Sequence, residues 1–242
     1  MTPTRQSDTG RGGAAEDEPR VWDLPVRIFH WTLVAAFLGA FVTDRMGVAY
    51  FRWHARCGYV VLVLVAFRLV WGVVGTRHAR FRNFLRGPRA ILRYALDVAR
   101  GRAESHAGHN PLGALMVVAL LLALGVEAVS GLFGNDEIVD VGPLYGSVSE
   151  ALSLALTSLH RRLFYWIAAA VALHVAAVLA HRLLGGERLI RAMITGRKPQ
   201  ASVGPQDAIQ GSRTWLAAAV VAVIAAVVVW VVDVAPIVFA NN

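Results

Sequence analysis

A single cysteine, Cys57, stands in a chain of 242 residues, so no disulfide can form within it and the Cys-x-x-Cys-His motif of covalent c-type haem attachment is missing. Charge is scarce as well: Asp, Glu, Lys and Arg make up 17% of the residues, where a soluble domain carries about a quarter. Acids are almost missing from the long apolar stretches, which removes the carboxylates that a di-iron site needs, and with one cysteine little remains for zinc. What is present is apolar. Residues of the set AVILMFWYC form 56% of the chain and the mean hydropathy is +0.52, the composition of an integral membrane protein. The net charge of +8 does not point to nucleic acid, because the arginines lie in blocks between apolar runs and their partner is the membrane surface.

Apolar runs long enough to cross about 30 Å of hydrocarbon fall at roughly 24–44, 54–75, 111–133, 160–184 and 214–239. The expected fold is therefore all-α and membrane-embedded, with five spanning helices. Residues 1–22 read as a disordered, polar tail, and because no small-residue cleavage site follows, the first run is expected to be a retained anchor and not a signal peptide. Eight arginines between 77 and 102 and six bases between 182 and 213 contrast with residues 135–159, which hold four acids and no base. Basic loops stay in the cytoplasm, so the N-terminus is expected inside and the C-terminus outside. In GHNPLG, Asn110 can cap the third helix with Pro111 in its first turn. Residues 81–100 mix apolar residues with arginine as a surface-lying amphipathic segment does.

Eight histidines divide by position. His78, His106 and His109 belong to the basic loop and read as solvated or headgroup-facing. His30, His54, His160 and His174 lie in or at the ends of apolar helices, where ionisable groups are rare and suggest function. The topology sorts them into two levels, His54 with His160 outside and His30 with His174 inside. Fourteen residues separate His160 from His174, a rise of about 21 Å with a return to within about 40° of the same helix face. Paired imidazoles on facing helices of a bundle suit b-type haem, one ligand on each side of the iron. Two such sites imply two haems b, and with both axial positions filled by protein they favour electron transfer over oxygen binding.

Other residues support the picture less directly. Arg68 lies fourteen residues beyond His54, near the inner level, where a haem propionate would give the guanidinium a carboxylate; snorkelling to the inner headgroups is the alternative. Glu127 is the acid well inside the third run, near the outer level, and reads as a buried core group or as a proton or quinol site. Gly125 and Gly131 leave room for a flat macrocycle. His181 rivals His174, since seven residues bring it within about 20° of the same face; depth favours His174, because His181 abuts Arg182 at the interface.

Taken together, VWDLPVRIFHW, WHARCGY, FRLVWG, GHNPLG, the pair His160 and His174, and MITGRK resemble the bacterial cytochrome b561 family, which includes the b-type subunits of nickel-iron hydrogenases. The resemblance covers about residues 20–198. It implies a four-helix bundle binding two haems b, held by His30, His54, His160 and His174, in a domain spanning 23–198. A cytoplasmic linker at 199–213 and a fifth helix at 214–240 lie outside that core. The resemblance also implies respiratory electron transport in the bacterial inner membrane, with quinone as substrate at one end. At the other end it implies a c-type cytochrome, dehydrogenase or hydrogenase partner on the outer side. An electron-transfer subunit is the leading expectation, a stand-alone superoxide:quinone oxidoreductase the second, and a non-redox scaffold or transporter the reading from another class.

Overall fold

A computed structural model describes residues 18–102, 105–137, 140–199 and 203–234. All of its regular elements are helical: α1 (Leu24–Arg45), α2 (Phe51–Val74), α3 (Phe81–Phe84), α4 (Pro88–Ala99), α5 (Pro111–Leu132), α6 (Glu150–Leu183), α7 (Leu189–Thr195) and α8 (Thr214–Val229). Among the described residues five helices are long and apolar enough to span a membrane, namely α1, α2, α5, α6 and α8. The four inter-span connections place the starts of α1, α5 and α8 and the ends of α2 and α6 at one end of the bundle, where the arginines gather.

Caps set several of these boundaries. Asp23 precedes α1 and its Oδ1 accepts from the Val26 amide at 2.7 Å, with Pro25 in the first turn. Asn110 Oδ1 accepts from Gly113 N at 2.7 Å and opens α5 ahead of Pro111, as the sequence leads one to expect. The fourth span departs from expectation. It starts at Glu150 and not near residue 160, because Ser149 caps it and Glu150 sits in its first turn, where a negative charge favours the helix dipole. Residues 150–159 alternate small and apolar side chains that are good helix formers, though too mixed to register as an apolar run. The amphipathic segment at 81–100 is two helices, since Gly87 and Pro88 break it; α4 leaves Leu92 and Leu96 exposed and buries Tyr94, a stripe suited to the membrane surface.

The central helix is α2, which packs on α1, α5 and α8. Val65, Phe67 and Trp71 of α2 meet Leu121 and Leu124 of α5 and Ile167 of α6 in the core. By contrast α6 is fastened mainly to α5 and to the short α7, and its backbone stands off from α1 and α2. The fifth span lies along α2 with Ala217 buried, and after a π-helical turn at Trp230–Val234 its expected continuation to 239 or 240 lies outside the described residues.

The arginine-rich end is closed by segments distant in sequence. Residues 1–17 of the expected tail lie outside the described residues, but Glu18 pairs with Arg191 at 2.9 Å and the Val21 and Trp22 amides donate to Gly196 O at 2.8 and 3.1 Å. These last residues of the expected tail are therefore packed: Val21 is fully buried and Trp22 almost so. Gly196 has φ of 82° at the end of α7, and a Cβ there would stand 2.7 Å from Trp22 O, so both the turn and the close approach require glycine. Asp23 is the lock of this end. Its Oδ2 accepts from Trp71 Nε1 at 3.1 Å and from the Thr76 hydroxyl, tying the start of α1 to the end of α2. Replacing Asp23 with Ala removes a helix cap and strands two buried donors, so we expect a loss on the order of 2–4 kcal/mol. Thermal unfolding in detergent checks this, and a midpoint equal to that of the unmodified protein contradicts it.

Candidate functional site

His54 is in the first turn of α2 and His160 in the eleventh position of α6, and the structure brings their rings to 6.1 Å between centroids at an interplanar angle of 82°. Each ring is held from behind. His54 Nδ1 lies 3.0 Å from Ala40 O of α1, and His160 Nδ1 lies 2.8 Å from Glu127 O of α5. A carbonyl oxygen only accepts, so Nδ1 carries the proton in both and Nε2 is the free nitrogen of each ring. That is the orientation in which metal-binding imidazoles are normally fixed. Two imidazoles bound on opposite sides of one metal, with bonds of about 2 Å, have ring centres about 6 Å apart. The spacing of His54 and His160 suits such a bridge.

The second level is made by α1 and α6. His30, in the second turn of α1, interacts electrostatically with His174 of α6, and His30 Nδ1 is buried with no hydrogen-bond partner. A buried imidazole left this way asks for a ligand at that place. His181 has an acidic neighbour. It lies in the last turn of α6 and its Nδ1 is 3.8 Å from Glu187 Oε2, while the Glu187 amide donates to His181 O at 3.1 Å. Between the two levels, Phe164 of α6 stacks on Phe41 of α1 at 5.6 Å and 6°, with Phe37 at 6.1 Å. Between α6 and α1 the contact is thus made by aromatic side chains, whereas α6 packs closely along α5.

Arg68 does not snorkel. It is 2% exposed, its Cζ lies 5.0 Å from the Phe81 ring centre and 5.9 Å from that of Phe84, and both terminal nitrogens lack hydrogen-bond partners. The neighbouring acid, Asp23, is already engaged by Val26, Trp71 and Thr76. A guanidinium buried among aromatics without a direct counter-ion is costly, and a propionate from a macrocycle at the His30 level fits the need. Gly72 allows the aromatic lid, since a Cβ there would fall 2.0 Å from Phe81 Cε2.

Some features differ from the sequence reading. His109, His78 and His106 are half-buried and packed against protein groups. His109 sits between Trp22 at 4.7 Å and Phe84 at 4.6 Å, and burial, followed by the nearby Arg68, Lys198 and His78 charges, pushes its pKa down to about 3. His78 Nε2 is 2.6 Å from Asp207 O, and His106 meets the edge of Tyr94 at 5.3 Å. Gly131 makes room for the His160 ring itself, whose Cε1 would lie 3.1 Å from an added Cβ, while Gly125 is in ordinary contact distance of Val65. Glu127 serves His160 through its backbone carbonyl; its Oε1 stands 3.7 Å from His160 Nδ1 and its Oε2 is buried without a partner. The carbonyls of Ala40 and Glu127 and the Phe164 stack carry no sequence signal that marks them. Among the described residues no group of three or more His, Cys, Asp or Glu side chains could hold a metal ion.

Residues 21–196 match the family model of prokaryotic cytochrome b561. The chain is 23% identical over 209 residues to the "Probable Ni/Fe-hydrogenase 1 B-type cytochrome subunit" of Escherichia coli strain K12, covering 73% of this chain and 88% of that protein. It is 24% identical over 213 residues to the "Probable Ni/Fe-hydrogenase B-type cytochrome subunit" of Azotobacter vinelandii, covering 73% and 86%. No solved structure matches the chain. With five apolar spans, imidazole pairs set in them and a family match over most of its length, the chain belongs to the prokaryotic cytochrome b561 family, the multi-pass membrane b-type cytochromes that carry electrons through haem.

Proposed function

We propose that this chain holds two haems b and conducts electrons across the bacterial inner membrane between the quinone pool and a redox enzyme or c-type cytochrome on the outer side. The observation that carries the reading is the His54 and His160 pair, with rings 6.1 Å apart and each Nδ1 engaged by a backbone carbonyl. In this reading His54 and His160 hold the outer haem, His30 and His174 the inner one, and Arg68 takes a propionate of the inner haem. Depth supports His174 as the inner ligand, since His181 lies in the last turn of α6 beside Arg182. The relatives named as hydrogenase cytochrome subunits support a hydrogenase-type enzyme as the outer partner. The basic segments at 77–102 and 182–213 support an inside N-terminus.

Haem b, when bound, would supply a one-electron couple, with His54, His160, His30 and His174 as the residues that would hold it. The chain's own residues do the rest. The Ala40 and Glu127 carbonyls fix the His54 and His160 tautomers and ring angles, so the ligands stay put when the charge at the centre changes. The fourteen-residue separation on α6 sets the two centres about 21 Å apart along the helix axis, and Phe164, Phe37 and Phe41 keep lipid and water out of the interval. Arg68, shielded by Phe81 and Phe84, raises the local positive potential and favours the reduced state of the inner centre.

Purified protein should give a reduced-minus-oxidised spectrum with b-type bands and two haems per chain; a colourless preparation sinks the reading. His174→Ala should lose one haem while His181→Ala keeps both, and loss on the second substitution alone reverses the assignment. Arg68→Gln should keep both haems yet lower the inner midpoint potential by tens of millivolts, the scale of roughly 1 kcal/mol for one partly shielded charge. A redox titration in which neither potential moves removes Arg68 from the site.

A further inference from the structure

A cavity of about 630 Å³ opens at the arginine-rich end of the bundle, between α3 with its preceding turn, the 105–110 segment that leads into α5, and the strap at 205–207. The electron-transfer reading makes no use of it. Its walls carry Arg77, Arg82, Arg86 and the imidazoles of His78, His106 and His109, against one acid, Asp207.

The walls are fastened to one another. Arg77 Nη1 donates to Gln206 O at 2.6 Å, Asn83 Nδ2 donates to Arg77 O at 2.7 Å and His78 Nε2 meets Asp207 O at 2.6 Å. Gly108 lets the 105–110 segment press on His78, whose Nδ1 would lie 2.9 Å from an added Cβ. The cavity is therefore a built recess and not a gap between loose loops.

Among the described residues its charge is largely uncompensated. The Asp207 carboxylate is taken by Arg77, with Oδ1 at 3.0 Å from Nη2, and no described salt bridge engages Arg82 or Arg86. Deeper in, His109 lines the recess with Nδ1 buried and without a hydrogen-bond partner. Two guanidinium groups that line one recess fit an anion with several oxygens around a small centre. Guanidinium forks match phosphate in both geometry and charge, and basic recesses between membrane helices are where anionic headgroups lodge.

We propose that this cavity binds a phosphate group, brought either by an anionic phospholipid of the surrounding leaflet or by a soluble phosphate. Arg82 and Arg86 grip its oxygens, on the wall that faces the 105–110 segment. The exposed Leu92 and Leu96 of the adjoining α4 offer an apolar shelf for acyl chains if the carrier is a lipid.

The test uses full-length, haem-loaded protein, the Arg82→Ala/Arg86→Ala double variant, and an Arg45→Ala/Arg52→Ala control at the opposite end. Native mass spectrometry reads retained phospholipid, and thermal unfolding against inorganic phosphate reads a soluble ligand. A phospholipid adduct kept by the unmodified protein and the control but lost from the double variant supports the lipid source. Phosphate-dependent stabilisation weakened about tenfold or more in the double variant, the scale of one charge-assisted hydrogen bond, supports the soluble source. Neither response in the unmodified protein, or responses equal in all three proteins, overturns the proposal. Haem spectra shared by the three show that the variants are folded, and if the double variant fails that check the single Arg82→Gln and Arg86→Gln variants replace it. Because both readouts report phosphate and not electron flow, the proposal and the electron-transfer reading can fail separately.

Discussion

An imidazole inside hydrocarbon is tolerable only when its polar nitrogens are engaged, and in this bundle the engagement comes from backbone carbonyls of neighbouring helices. Ala40 O of α1 and Glu127 O of α5 each meet a histidine Nδ1 on another helix. Helix carbonyls keep a second lone pair after the intrahelical bond is made, so they can serve a side chain at no loss to the helix. These contacts link α1 to α2 and α5 to α6 at one depth, and they leave Nε2 of both rings unengaged by the backbone. Helix packing at this level is a consequence of where the imidazoles must point.

The same requirement explains why α6 is the least embedded of the four helices in the core. It carries His160 and His174, and it is fastened along α5 and through α7 while its backbone keeps clear of α1 and α2. Ordinary membrane helices close such gaps with small residues. Here large aromatic rings, Phe164 with Phe41 and Phe37, hold the distance open between the two histidine levels. Small residues are used locally for fit, as Gly131 does beside the His160 ring and Gly72 beneath Phe81.

At the arginine-rich end a different constraint rules. Arg68 is buried under two aromatic rings with its terminal nitrogens unengaged, so the fold must keep positive charge near the inner histidine level. Asp23 is close but spends its oxygens on the α1 cap and on joining α1 to α2. The segment before α1, the turn after α7 and the strap after residue 203 cover this end and seclude His109 from water. Positive charge is thus distributed from the bundle interior at Arg68 to the recess mouth at Arg82 and Arg86.

The apolar runs determined the five spans by themselves, because crossing hydrocarbon demands about twenty apolar residues in a row whatever the neighbours are. Helical geometry determined that His160 and His174 share a face two levels apart, and capping chemistry determined the starts of α1 and α5. Local rules reached no further. The start of α6 at Glu150 depends on a Ser149 cap and on a chain too mixed to look like a span. Burial of Arg68 depends on Phe81 folding back over Gly72, and burial of His109 depends on Trp22, 87 positions earlier in the chain. The approach of Glu187 to His181 depends on the turn after α6. Spacing along one helix gives angle and depth; what a side chain faces is decided by segments far away in the chain, and those contacts exist only once the bundle is closed.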